Sequence, residues 1–254
     1  MKLIKWPVRA SYGAYCWLVF LVLTLVALAV MLLVPGLERR RRIARLTAQS
    51  VFIAWGVRLT IVGTERLPAG RCVVVANHAS YLDGLVLTAA LPARFAFVIK
   101  KEMDRVPLAS MLLRRIGSEF VDRHDRHKGA MDARRMLRRA SEGQALVFFP
   151  EGTFSKRPGL LRFHTGAFAT AVRARCAVVP AAIRGTRTVL AFDSIIPTPA
   201  RIEIEVLAIL MPQPDHPEAA AHLRDRARNL MLAQLGEPDL DAETSHAHAR
   251  KAAP

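Results

Sequence analysis

Cysteine is scarce in this chain and nowhere paired. Cys16, Cys72 and Cys176 are odd in number, far apart and free of any CxxC spacing, so neither a disulfide framework nor a zinc knuckle is available. Cys72 and Cys176 sit in or beside apolar stretches and read as small core residues of a reducing compartment. Acid is also short: 21 Asp and Glu stand against 37 Lys and Arg, a formal net charge of +16. Such a surface seeks an anionic partner, nucleic acid or lipid headgroups, and charge alone does not choose between them. Aromatics make up 7% and form no stacking pattern, which takes support away from a nucleic-acid module. GxSxG, HExxH, P-loop and GxGxxG signatures are all missing, as are internal repeats.

What the sequence does hold is apolar text: 52% hydrophobic residues and a mean hydropathy of +0.21. That is high for a soluble enzyme and low for a polytopic transporter, and suits a globular body with limited membrane insertion. The 15–34 run, YCWLVFLVLTLVALAVMLLV, carries no charge, and as a helix it is about 30 Å long, enough to cross the hydrocarbon of a bilayer. Lys2, Lys5 and Arg9 with Ala27-Leu28-Ala29 imitate a cleavable signal. The run continues past those alanines into Arg39–Arg42, however, as an anchor would. The denser positive charge after the run places the body on the cytoplasmic side, through a single pass or a hairpin, with the expected setting a bacterial inner membrane. The arginines would meet an anionic leaflet.

The next stretch, 43–57, has helical spacing with Ile43, Leu46, Val51, Ile53 and Trp55 as an apolar stripe. Strand-like and helix-like segments then alternate. Strands are expected at 58–62, 73–76, 95–99, 120–121, 145–149, 178–183 and 202–209, and helices at 81–91, 107–116, 128–141, 166–174 and 217–235. This rhythm predicts an α/β domain whose mainly parallel or mixed sheet is flanked by helices. The organisation is thus an anchor with an amphipathic helix over 1–57, a body over 58–235, and a tail over 236–254 whose lack of periodicity suggests disorder.

Four segments stand at the ends of predicted strands, where α/β sheets bind ligands. In Asn77-His78-Ala79-Ser80-Tyr81-Leu82-Asp83, a histidine and a carboxylate five positions apart lie about 140° from each other on a regular helix. They meet only if His78 is on the turn and Asp83 in the first helical turn, with Ser80 the expected N-cap; on spacing alone a structural capping turn explains the pair more readily than a catalytic base does. Gly117 to Arg123 would bring a guanidinium to the sheet edge, for phosphate or for a surface salt bridge. Phe149-Pro150-Glu151-Gly152-Thr153-Phe154-Ser155-Lys156 puts a carboxylate at the mouth of an apolar strand, to orient a ligand or to cap a turn. Val179-Pro180-Ala181 is apolar and reads as a wall.

In this order the segments resemble the glycerophospholipid acyltransferase family typified by 1-acyl-glycerol-3-phosphate acyltransferases, with its NHxxxxD, GxxFxxR, FPEGTxS and VP motifs. The match runs over about residues 58–190, and Lys100-Lys101-Glu102-Met103 is similar to the family's Lys-x-Glu-Leu. The resemblance implies direct acyl transfer without cofactor or metal. His78, held by Asp83, would deprotonate a lyso-lipid hydroxyl as it attacks the thioester of acyl-CoA or acyl-carrier protein. Glu151, Gly152 and Thr153 match the acceptor motif, and Lys100 and Arg123 would hold phosphates of acceptor or donor. One departure is Phe154, where family members acting on lysophosphatidic acid carry arginine. Lys156 or Arg157 would then substitute, or the acceptor is another lyso-lipid, such as a lyso-ornithine lipid. A thioesterase, a basic binding module and a membrane tether are the rival classes.

Overall fold

The computed structural model describes residues 2–122, 126–213 and 217–243. In chain order the elements are α1 (Lys2–Leu33), α2 (Leu37–Ala54), β1 (Arg58–Val62), β2 (Cys72–Ala76), α3 (Asp83–Ala90), β3 (Phe95–Lys100) and α4 (Pro107–Arg115). There follow β4 (Glu119–Val121), α5 (Arg126–Ser141), β5 (Ala145–Phe148), α6 (Gly166–Ala174), β6 (Ala177–Arg184), α7 (Thr186–Val189), β7 (Arg201–Val206) and α8 (Ala219–Leu235). The seven strands form one mixed sheet in the order β1-β7-β6-β2-β5-β3-β4. Only the β6–β7 pair is antiparallel.

The burial pattern explains why these strands read so clearly. All five residues of β2 are buried, as expected of a central parallel strand covered on both faces. Cys72, Val74 and Ala76 face a core shared with α1, α2 and α3, and Val73 and Val75 face one shared with α5, α6 and α8. At the far edge β1 alternates exposed and half-buried residues.

The N-terminal pair of helices is packed onto the body rather than standing clear of it. Trp6–Leu33 is apolar and long enough to cross a membrane. Yet Tyr12, Cys16, Val19, Phe20 and Leu23 join the first core, and Ala27 and Met31 pack with Ala44 and Ile116. Polar tips tie the same face down: the Tyr12 hydroxyl donates to the Trp55 carbonyl (2.5 Å), and the Trp55 indole N–H donates to the Cys16 carbonyl (2.9 Å). The opposite face exposes Leu18, Leu21, Leu25 and Leu32.

Helix α2 departs from the expected stripe. Its inner face is Arg41, Ala44, Ala48, Val51 and Phe52, while Leu46 and Ile53 point outward, 57% and 78% exposed. The arginine cluster divides as well. Arg41 is buried and donates to the carbonyls of Ile116, Arg94 and Gly117, stitching α2 to the turn after α4; Arg39 and Arg42 stay exposed. A guanidinium with five donors can satisfy several carbonyls that no water reaches.

The C-terminal segment was expected to lack order from Gly236, yet 236–243 packs against the body. Leu160 and Asp239 form a β-bridge, and Leu240 is 6% exposed. Residues 244–254 lie outside the described part of the chain.

Candidate active site

Because β2, β5, β3 and β4 run parallel, their carboxyl ends lie along one edge of the sheet. The loops leaving Ala76 and Phe148 therefore emerge side by side, which brings His78 to Glu151 across 73 positions. Asn77 fastens the first loop. Its side-chain amide donates to the Ile183 carbonyl (3.0 Å), and its carbonyl accepts from the Ile183 N–H (2.7 Å), locking the end of β2 to β6.

The turn after Asn77 closes the gap between histidine and carboxylate. One oxygen of Asp83, Oδ2, lies 2.8 Å from His78 Nδ1 and accepts the backbone N–H groups of Ala79 (2.6 Å) and Ser80 (2.8 Å). The chain wraps around this oxygen, and Asp83 opens α3, where a negative charge suits the helix dipole. The Ser80 hydroxyl accepts from the Leu82 N–H (3.3 Å) in the turn that leads into α3, and it donates to the Leu190 carbonyl (2.8 Å), which ties the turn to the segment after α7. Exposure sorts the pair: the Asp83 side chain is at 0% and that of His78 at 20%. A carboxylate at Nδ1 selects the tautomer with hydrogen there, which leaves Nε2 as the ring's acceptor.

Aromatic rings wall the histidine. Phe149 stacks on it at 4.4 Å between centroids, and Phe154 meets it at 4.5 Å with the planes tilted by 58°. Tyr81 and Phe192 meet Phe154 edge-on at 4.8 and 5.5 Å. The histidine therefore faces an apolar mouth.

Glu151 is placed beneath this site instead of in it. It is 3% exposed; Oε1 accepts from the His78 N–H (2.6 Å), and Oε2 accepts from the Leu161 N–H (2.8 Å). Both oxygens are thus spent on backbone, and burial pushes the carboxyl up to about 8. Gly152 takes the left-handed conformation at φ 74° and makes the turn after Glu151; a side chain there would be strained. Thr153 is exposed. Lys156 reaches across the mouth to Asp193 at 2.5 Å. Lys100 ends β3, exposed, on the same edge. Arg123 lies outside the described residues. Val179 and Pro180 are buried within the sheet, where they support the floor rather than line the mouth.

Sequence reasoning missed Phe192, Asp193 and the roles of Phe149 and Asn77. Asn77 and Phe149 adjoin residues already singled out, so adjacency was a usable signal. Phe192 and Asp193 arrive from a distant loop with no local pattern. Among the described residues no three His, Cys, Asp or Glu side chains converge as metal ligands.

A histidine oriented by a buried carboxylate and set in apolar walls at the carboxyl edge of a mixed sheet is an arrangement suited to proton transfer in an α/β enzyme. The comparisons make the class specific. Residues 58–184 match the acyltransferase family, and the chain belongs to it. It is 28% identical over 201 residues to a putative 1-acyl-sn-glycerol-3-phosphate acyltransferase of Caenorhabditis elegans, covering 77% of this chain and 70% of that one. Against the bovine 1-acyl-sn-glycerol-3-phosphate acyltransferase alpha it is 28% identical over 83% of its own length and 74% of the relative's. Against the chloroplastic enzyme LPAT1 of Arabidopsis thaliana identity is 33%, over 58% of this chain and 42% of that one. The fold is that of the crystal structure of a 1-acyl-sn-glycerophosphate acyltransferase, PlsC, from Thermotoga maritima, at TM-score 0.76 and 19% identity, covering 93% of this chain and 98% of that one. The protein is an acyltransferase.

Proposed function

We propose that the chain moves a fatty acyl group from a thioester, acyl-CoA or acyl-carrier protein, to the free hydroxyl of a lysophospholipid, with His78 as general base. The observation that carries this is the 2.8 Å contact between His78 Nδ1 and the fully buried Asp83. The acceptor hydroxyl gives its proton to Nε2 as its oxygen attacks the thioester carbonyl. The tetrahedral intermediate then expels the thiolate, which takes the proton back from His78 and leaves as free thiol. Asp83 holds the ring and stabilises the imidazolium between these steps. No acyl-enzyme is needed: among the described residues no serine, threonine or cysteine side chain is hydrogen-bonded to the His78 ring.

The relatives named above act on 1-acyl-glycerol-3-phosphate, and that acceptor is the first reading here. Phe154 favours a second one. It fills the position where the resembling enzymes carry arginine, its ring lies on His78, and the nearby Lys156 is already paired with Asp193. An acceptor without a terminal phosphate, such as a lyso-ornithine lipid, fits that neutral mouth.

Location follows from packing. A helix bound lengthwise to a polar domain cannot cross a bilayer without dragging that domain in, and unpaired polar groups in hydrocarbon are costly. Helix α1 therefore lies in the plane of the leaflet, its exposed leucines in the acyl region and Arg39 and Arg42 at the headgroups. On this reading the anchor stays in one leaflet, where the sequence alone allows a single pass or a hairpin.

His78→Ala, folded and membrane-bound, is expected to lose at least about 100-fold in transfer rate. The assay supplies labelled acyl-CoA and a panel of lyso-lipids, with products identified by mass spectrometry. Wild-type turnover by the variant rejects the base, and free fatty acid released without acceptor indicates a thioesterase.

A further inference from the structure

The mechanism so far makes no use of a buried cation, Arg228, or of the segment that follows α8. Arg228 is 8% exposed on the inner face of α8. It grips Asp239 with two nitrogens, Nη1 to Oδ2 at 2.8 Å and Nη2 to Oδ1 at 2.6 Å. The same guanidinium donates to the carbonyls of Leu160 (3.1 Å) and Leu161 (3.2 Å). The backbone of 238–240 then pairs with Leu160 in both directions. Leu160 N–H donates to Pro238 (2.9 Å), and Leu240 N–H donates to Leu160 (3.2 Å).

Glu237 extends the grip by accepting from Gly159 N–H (2.9 Å) and from Arg187 of α7 (2.9 Å). Leu240 sits so close over Gly159, at φ 136°, that a Cβ there would lie 2.5 Å from its Cγ. That glycine is required by the strap above it.

The clamped backbone leads straight to the catalytic histidine. Leu161 N–H holds Glu151 Oε2, and Glu151 Oε1 holds the N–H of His78. A bidentate arginine–carboxylate pair is rigid and directional. We infer that Arg228, Asp239 and the 236–243 strap are positioning residues of the acyltransferase site, fixing the 159–161 backbone so that Glu151 sets the height of His78 at the sheet edge. The inference rests on the reading of His78 as the base. It assigns the C-terminal segment a part in catalysis that the family match, ending at residue 184, does not cover.

The test compares Asp239→Ala, Asp239→Glu and a chain ending at Leu235 with wild type and His78→Ala, as full membrane-bound enzyme. Misplacing a base by a fraction of an ångström lowers turnover more than binding, so Asp239→Ala should lose about 10- to 100-fold in kcat with donor KM within about twofold. Asp239→Glu should recover part of it, and the truncation should match or exceed the loss. Hydrogen exchange at the Leu161 and His78 amides should quicken in Asp239→Ala, while exchange in the buried strand β2 stays slow. Wild-type kcat in both Asp239→Ala and the truncation overturns the clamp, as does a loss accounted for by the unfolded fraction. If His78→Ala keeps its activity, the base reading fails separately, and amide exchange alone then decides the clamp: unchanged rates at Leu161 and His78 reject it.

Discussion

Glu151 shows how one buried side chain can join two loops, the turn at His78 and the backbone at Leu161. Its carboxyl is held up to about 8 by burial, from an ordinary value near 4.5. A neutral Glu151 keeps both backbone contacts, since each oxygen has a lone pair to spare. Between the two values the folded chain binds more protons at this site than the unfolded chain does. Stability therefore falls as pH climbs from about 4.5 to about 8, and the contribution is fully present only below that range. Glu151→Gln cannot titrate and should flatten this part of the profile. It should also be less stable overall by about 1–3 kcal/mol, because its NH₂ faces one of the two N–H groups. Thermal unfolding midpoints from pH about 5 to about 9 check this; a variant as steep as wild type rejects the assignment to Glu151.

Among the elements, α1 is the one whose length and role diverge most. Its composition describes a membrane span, and its packing describes a helix glued along one side. From Tyr12 to Met31 the inward residues follow a helical period onto the body, about 28 Å of contact at 1.5 Å per residue. Spin labels at Leu18, Leu25 and Leu32 on the exposed face should then report similar depths in vesicles of anionic lipid. A spanning helix would instead place Leu18 and Leu32 toward opposite leaflets, and depths differing by more than about 10 Å would establish it.

The same contrast explains what was legible in the chain. Strands β2 and β5 and helix α6 were readable because parallel strands buried on both faces are written as unbroken apolar runs. Two other features were hidden: the inward turn of Arg41 and the packing of Leu240. Each depends on partners over 70 positions away, Ile116 for Arg41 and Leu160 for Leu240, and no local period records such a contact. At the site, His78, Asp83 and Glu151 were legible as a group only through the ordered motifs. The spacing of His78 and Asp83 by itself favoured a capping turn, and the inward placement of Glu151 was not foreseen.

At the scale of the whole molecule, the question is how a chain of net charge +16 comes to carry a catalytic mouth that is nearly neutral. The positive charge lies elsewhere, on the exposed arginines of α2 and along α5, where it can draw the body to an anionic surface. At the mouth Lys156 is paired with Asp193, and the Phe154 ring meets His78 at 4.5 Å between centroids, tilted by 58°, so an apolar ring walls the histidine. On the proposed reading, affinity for the membrane and choice of acceptor are carried by different parts of the surface. Phe154→Arg separates them. The substitution removes a ring that walls His78 and adds a guanidinium suited to phosphate, and a charged hydrogen bond is worth about 1.5–3 kcal/mol. The ratio of kcat/KM for lysophosphatidate over a phosphate-free lyso-lipid should rise about tenfold or more, while vesicle binding stays as in wild type. If the ratio does not move, position 154 does not set the choice of acceptor, and Lys156 released by Asp193 or Arg157 released by Glu243 is left to meet the phosphate.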